Sequence, residues 1–163
     1  MLNNIKWVQF FANSLNSITV LINRNLLISL LLLTTACSGI KHNSDDISLY
    51  QALGEKAGIN QLVEELLWVI AEDERVIERF LKSDISRFQK NFSLQLCEIS
   101  GGPCRYSGDS MQRVHGGHNI SEMEFNAVVE DLLTAMERLN YSVAVQNRLL
   151  KQLAPMQQDI VGQ

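Results

Sequence analysis

No acidic residue occurs before Asp45 in this 163-residue chain, whereas Lys6 and Arg24 both do. The part from Cys37 onward therefore holds 12 of the 14 basic residues and all 18 acidic ones, a net charge of −6. That balance excludes a nucleic-acid binder, whose affinity rests on clustered Lys and Arg. Long apolar runs are also missing. The run Leu26–Leu33 falls well short of the about 20 residues that cross a bilayer. No stretch alternates with period two for long enough to argue a strand, and no internal repeat is detectable. Histidine is scarce, three in all, and two of them share the tetrapeptide "HGGH", His115–His118. Aromatic and branched aliphatic side chains are plentiful enough for one real core, which excludes disorder, and the length allows a single ordinary domain.

The stretch "NRNLLISLLLLTTACSG" sets Arg24 before the apolar run, then small residues leading to Cys37. That order reads as an export signal over residues 1–36. Thr34-Thr35-Ala36-Cys37 resembles the lipobox of bacterial lipoproteins, with Thr34 where leucine is usual, and makes Cys37 the lipidated first residue of the mature chain. The first twenty residues make the charged region too long for a signal, which places the true start near Leu21. Lys41–Tyr50 is polar and aperiodic until its end, giving a tether over 37–47 before a domain over 48–163. The expected location is the bacterial cell envelope, with the protein lipid-anchored to a membrane on its periplasmic side. Ser38, where many lipoproteins retained at the inner membrane carry aspartate, favours the outer one.

Helical spacing dominates the rest. Leu62, Val63, Leu66, Leu67 and Ile70 form one apolar face after Gly58. Asp84 caps a second helix with Ile85, Phe88, Phe92, Leu96 and Ile99 on one stripe. Ser121–Glu124 has the capping-box spacing and opens a helix whose face is Phe125, Val128, Val129, Leu132, Leu133 and Met136. A last helix starts near Ser142 and is kinked or broken by Pro155. Between the second and third of these lies "SGGPCRYSGDS", which is turn chemistry. A short helix, "DSMQRVH", follows it, capped by Asp109 and stopped by Gly116-Gly117. The expected fold is all-α.

Cys97, Cys104, His115 and His118 are the potential metal ligands of this region. A shared zinc ion is one reading, but Cys-x6-Cys and His-x2-His match no usual structural zinc spacing. In an exported chain, two cysteines seven apart pair more readily as a disulfide, Cys37 being consumed by lipid. A plainer reading makes His115 a satisfied core histidine and His118 a surface one. Against that stands the layout. A histidine on the apolar side of a short helix, facing a helix lined by Phe88 and Phe92, is how a protein builds a heme pocket.

From Tyr50 to about Val161 the chain resembles a group 1 truncated hemoglobin. The likeness is carried by "LYQALG", "LVEELL", Arg79-Phe80, "GGPCRYSG", "MQRVHGGHNI" and "EFNAVVEDLL". It implies a shortened globin, two helices stacked on two with heme between them. His115 then matches the proximal iron ligand and Phe80 the phenylalanine that stacks on the heme near its distal side. Met111, Tyr106, Ile120 and Phe125 match positions that line the cofactor or its propionates, and His118 a position at the heme rim.

The departures are informative. Many relatives carry a tyrosine where this chain has Leu67 and a glutamine where it has Phe92, and both donate hydrogen bonds to the gas ligand. Leu67 and Phe92 have no donor. Gln89 and Gln95 are the only nearby amides to replace them. Glu55 also stands where the family has the second glycine of its first turn. The resemblance implies reversible binding of O2, NO or CO, of the oxygen-transport type, rather than enzymatic turnover. The alternatives are a heme enzyme or sensor handling nitric oxide or peroxide, and a heme-storage protein. An enzyme would need an electron-transfer reductase or a distal acid–base group, and no distal His or Arg is apparent in Phe88–Leu96.

Overall fold

The computed structural model describes residues 47–163, and these are helical apart from turns and one isolated bridge. The export signal, Cys37 and the tether as far as residue 46 lie outside the described residues. The elements are α1 (Leu49–Ala52), α2 (Glu55–Glu72), α3 (Ile77–Phe80), α4 (Ile85–Ile99), α5 (Met111–His115), α6 (Glu122–Arg138) and α7 (Val143–Leu153). A 3-10 turn, Ala154–Asp159, continues α7. The proline Pro155 lies at the first positions of that turn, so it converts the helix type where it blocks α-helical bonding. The C-terminal tail then runs beside Ile120, in a parallel bridge with Val161.

Helix α2 is the centre of the fold and packs against both α4 and α6. Its apolar face is the reason: Ile59, Leu62, Val63, Leu66, Val69 and Ile70 are all buried. Each such side chain contributes roughly 1.5–3 kcal/mol on leaving water. Leu96 from α4 and Leu132 and Met136 from α6 complete the same core.

Helix α2 begins at Glu55, earlier than the apolar face alone suggests, and Gly58 lies inside it. A Cβ on Gly58 would sit 2.0 Å from the Leu53 carbonyl oxygen, so only glycine lets α1 cross so near. Glu55 adopts φ +58°, the left-handed conformation its glycine counterpart would take without strain. That strain costs on the order of 1 kcal/mol. Ser48 and Gln51 form a capping box around α1. The expected caps of α4 and α6, Asp84 and Ser121, accept from Arg87 N and Glu124 N. The cap of α5 is Ser110, not Asp109: the serine hydroxyl accepts from Arg113 N. Asp109 instead offers its carbonyl to the Tyr106 hydroxyl and its carboxylate to Arg87 and Arg113.

One charge sits inside this core. Asp131 on α6 is 4% exposed, and its Oδ2 has no hydrogen-bond partner. Burial, with the neighbouring Asp73 carboxylate adding to it, raises its pKa to about 6. Asp73 itself is held below the ordinary range by Arg75. Between about pH 4 and pH 6 the folded protein therefore binds more protons at Asp131 than the unfolded chain does. Stability from this site falls as pH rises through that window. Asp131→Asn, whose amide can donate to Asp73, should abolish that decline and stabilise the protein at pH 7 by at most about 3 kcal/mol. Urea unfolding of both proteins at pH 4.5 and pH 7 measures it. Equal pH slopes would show that Asp131 is not the group responsible.

Candidate cofactor site

The site is built where the apolar stripe of α4 leaves the core. Leu96 is fully buried, but Phe92 and Phe88, one and two turns earlier, are half-buried. Their rings stack with centroids 5.5 Å apart, and Phe80 meets Phe88 edge-on at 5.4 Å. Leu67, beside the buried face of α2, is half-buried as well. From α5 to the first turn of α6, Met111, His115, Ile120 and Phe125 are all half-buried. Phe80, Phe88 and Phe92 pack against the core yet keep part of their surface open, which is what an apolar site needs of its walls.

Helix α5 carries the first of the two histidines. Its five residues place Met111 and His115 four apart, and the His115 ring Nδ1 lies 2.9 Å from the Met111 carbonyl oxygen. A proton on Nδ1, donated to that carbonyl, leaves the lone pair on Nε2, the atom available to a metal. After His115 the chain turns at once: Gly117 takes φ +79°, and His118 N donates to the His115 carbonyl. His118 is carried outward on that turn and is exposed. The two histidines of "HGGH" therefore have different surroundings.

Tyr106 is half-buried, and its hydroxyl donates to the Asp109 carbonyl at 2.7 Å. Burial, reinforced by the Asp109 charge, raises its pKa. It thereby orders the approach to Ser110 and α5. Ile120 accepts through its carbonyl from Gly162 N, so the C-terminal tail braces the segment between α5 and α6. Gln95 is buried, and its Nε2 donates to the sulfurs of Met111 at 3.5 Å and Met156 at 3.4 Å. Gln89 is half-buried. A separate polar cleft along α4, lined by Arg87, Lys90, Asn91 and Asp109 among others, carries none of these apolar residues.

Cys97 and Cys104 are joined by a disulfide with Cα atoms 5.7 Å apart. Sulfurs bonded to each other cannot share a zinc ion with the two histidines. The bridge ties the end of α4 to the loop leading to α5. Closing about eight residues should restrict the unfolded chain by roughly 2.5 kcal/mol. Protein isolated without reductant should show no alkylatable thiol at these two positions, and reduction should lower its melting temperature. Two free thiols by mass spectrometry would contradict it.

The bacterial-like globin family model matches residues 48–161. This chain belongs to that family. A group 1 truncated hemoglobin from Tetrahymena pyriformis is 28% identical to it over 115 residues, covering 71% of this chain and 95% of the relative. Another from Nostoc sp. (strain MUN 8820) is 32% identical over 89 residues, 55% of this chain and 75% of the relative. The Fe(III) form of the Tetrahymena pyriformis truncated hemoglobin superposes with TM-score 0.69 at 27% identity, covering 72% of this chain and all of that one. The helical arrangement is thus the two-on-two globin fold. Heme is the cofactor of that family, and the residues here fit it: apolar walls, and one histidine with a defined free nitrogen.

Sequence reasoning missed two long-range contacts, only the second of them beside the His115 turn. One is the Asp73–Asp131 carboxyl pair, and the other joins Arg79 to Glu124 and His118. Both couple residues far apart in the chain, and no local spacing announces them.

Proposed function

We propose that this globin binds diatomic gases reversibly, with His115 Nε2 as the iron's protein ligand and a distal side without a hydrogen-bond donor. Ferrous heme supplies the coordination site for O2, NO or CO. The chain supplies the rest. The Met111 carbonyl orients His115, Phe80 and Phe88 with Phe92 exclude water, and Leu67 leaves the gas without a polar partner. The observation that carries the reading is the His115 Nδ1 contact with the Met111 carbonyl at 2.9 Å, because a proton held there leaves Nε2 as the nitrogen that would ligate iron.

Turnover of peroxide is less well supported. Leu67, Phe88 and Phe92 include no titratable group to move a proton. Electron transfer from a reductase is needed only to return ferric iron to the gas-binding state. We further propose that Cys37 carries lipid and holds the domain at the cell envelope, on the outer membrane facing the periplasm. The lipobox-like Thr34–Cys37 and the charge asymmetry before Asp45 support it.

The test is reversibility. Reduced protein opened to air should give an oxygenated spectrum that returns to the deoxy form under argon. Immediate conversion to ferric protein, accelerated by peroxide with catalytic turnover, would favour the enzymatic reading. For the anchor, metabolic labelling with a radiolabelled fatty acid should mark the wild type and not Cys37→Ser.

A further inference from the structure

Phe80 reaches the site on the segment that follows α2, and two arginines four residues apart tie that segment to α6. Arg75 Nη1 donates to Glu130 Oε2 at 2.6 Å, and its Nε donates to Asp73. Arg79, next to Phe80, does something different. Its Nε donates to Glu124 Oε1 at 2.7 Å, while its Nη1 donates to the His118 carbonyl at 3.0 Å. The other oxygen of Glu124 accepts from Ser121 N at 2.9 Å and from Ser121 Oγ at 2.7 Å. One guanidinium thus joins the Phe80 corner, the turn leaving His115 and the cap of α6. Arg79 holds the Glu124 carboxyl down to about 2, so the contact stays charged across the physiological range.

We propose that Arg79 is a clasp: a positioning residue that holds the Phe80 corner against the His115–His118 turn and so sets how long heme stays bound. The proposal rests on the heme site assigned above. An exposed ion pair adds little to global stability, about 0–1 kcal/mol. Heme release does not need global unfolding, only a local opening, and such openings cost less than the whole fold. The clasp spans two walls of the apolar site, Phe80 on one and the His115 turn on the other. Its strength therefore appears in the opening rate rather than in the melting temperature. Planarity matters too, because a fork can serve Glu124 and the carbonyl together, whereas a single ammonium serves them poorly.

The experiment follows hemin transfer from the ferric holoprotein to excess heme-free myoglobin, alongside thermal unfolding of each apoprotein. Arg79→Gln should speed hemin loss about three- to tenfold while leaving the apoprotein midpoint nearly unchanged. Arg79→Lys should fall between it and the wild type. Two controls remove other ion pairs that α6 makes with its neighbours: Arg75→Gln, which loses Glu130, and Arg138→Gln, which loses Glu65 and Glu72 on α2. Both should change hemin loss less than twofold. Equal acceleration in Arg79→Gln and Arg138→Gln, or acceleration matched by lost apoprotein stability, would overturn the clasp. If Arg79→Gln does not fold, Glu124→Gln takes its place with the same expected direction. Hydrogen exchange of the apoproteins adds a readout without heme: amides over Gly116–Asn119 should exchange faster in Arg79→Gln and not in Arg75→Gln. If the wild type takes up no hemin, the heme reading fails, and unchanged exchange there would separately end the clasp.

Discussion

Replacing His115 with alanine should abolish stoichiometric heme binding, while His118→Ala should leave the histidine-ligated ferrous spectrum nearly intact. Losing only the hydrogen-bond partner of a metal-binding histidine already costs about 10–100-fold in affinity. Losing the ligand itself should exceed that. The asymmetry between the histidines comes from the turn at Gly117. It leaves His115 half-buried with Nδ1 occupied and carries His118 into solvent, where only its backbone takes part in the fold. Hemin titration of the two variants checks this. Equal damage from both substitutions, or zinc in place of iron by metal analysis, would sink the assignment.

Leu67→Tyr should slow oxygen release by about tenfold to a hundredfold. A hydrogen bond to a charged partner is worth about 1.5–3 kcal/mol, and neither Leu67 nor Phe92 can make one. The structure sharpens this expectation at Gln95, one of the two amides able to substitute. Its Nε2 is directed at the sulfurs of Met111 and Met156. Stopped-flow displacement of oxygen by carbon monoxide gives the rate. Unmodified protein that releases oxygen as slowly as Leu67→Tyr would mean that Gln89, Gln95 or a water reaches the ligand.

The helices were legible because their signals are local. Asp84 and Ser121 cap where the spacing of polar to apolar residues places them, and the stripe from Phe88 to Leu96 is a 3.6-residue repeat. The Ser48–Gln51 capping box was equally local, yet the polar run around it masked α1. Gly58 lies inside α2 for a tertiary reason. It serves the crossing with Leu53, not a helix end, and only the packed structure reveals that. At α5 two adjacent residues could cap, and the Ser110 hydroxyl does so while the Asp109 carboxylate pairs with Arg87 and Arg113. Family resemblance supplied the residue assignments at the site. Periodicity alone left His115 open between a core histidine and a ligand. Its ring contact with the Met111 carbonyl is an orientation set within its own helix, which periodicity does not reveal.

The most direct test of the central claim is a hemin titration of the purified protein, followed by reduction and addition of carbon monoxide. Saturation is expected at one heme per chain, with the spectrum of a histidine-ligated ferrous carbonyl complex. Uptake that never saturates, or a carbonyl spectrum unchanged by His115→Ala, would contradict it.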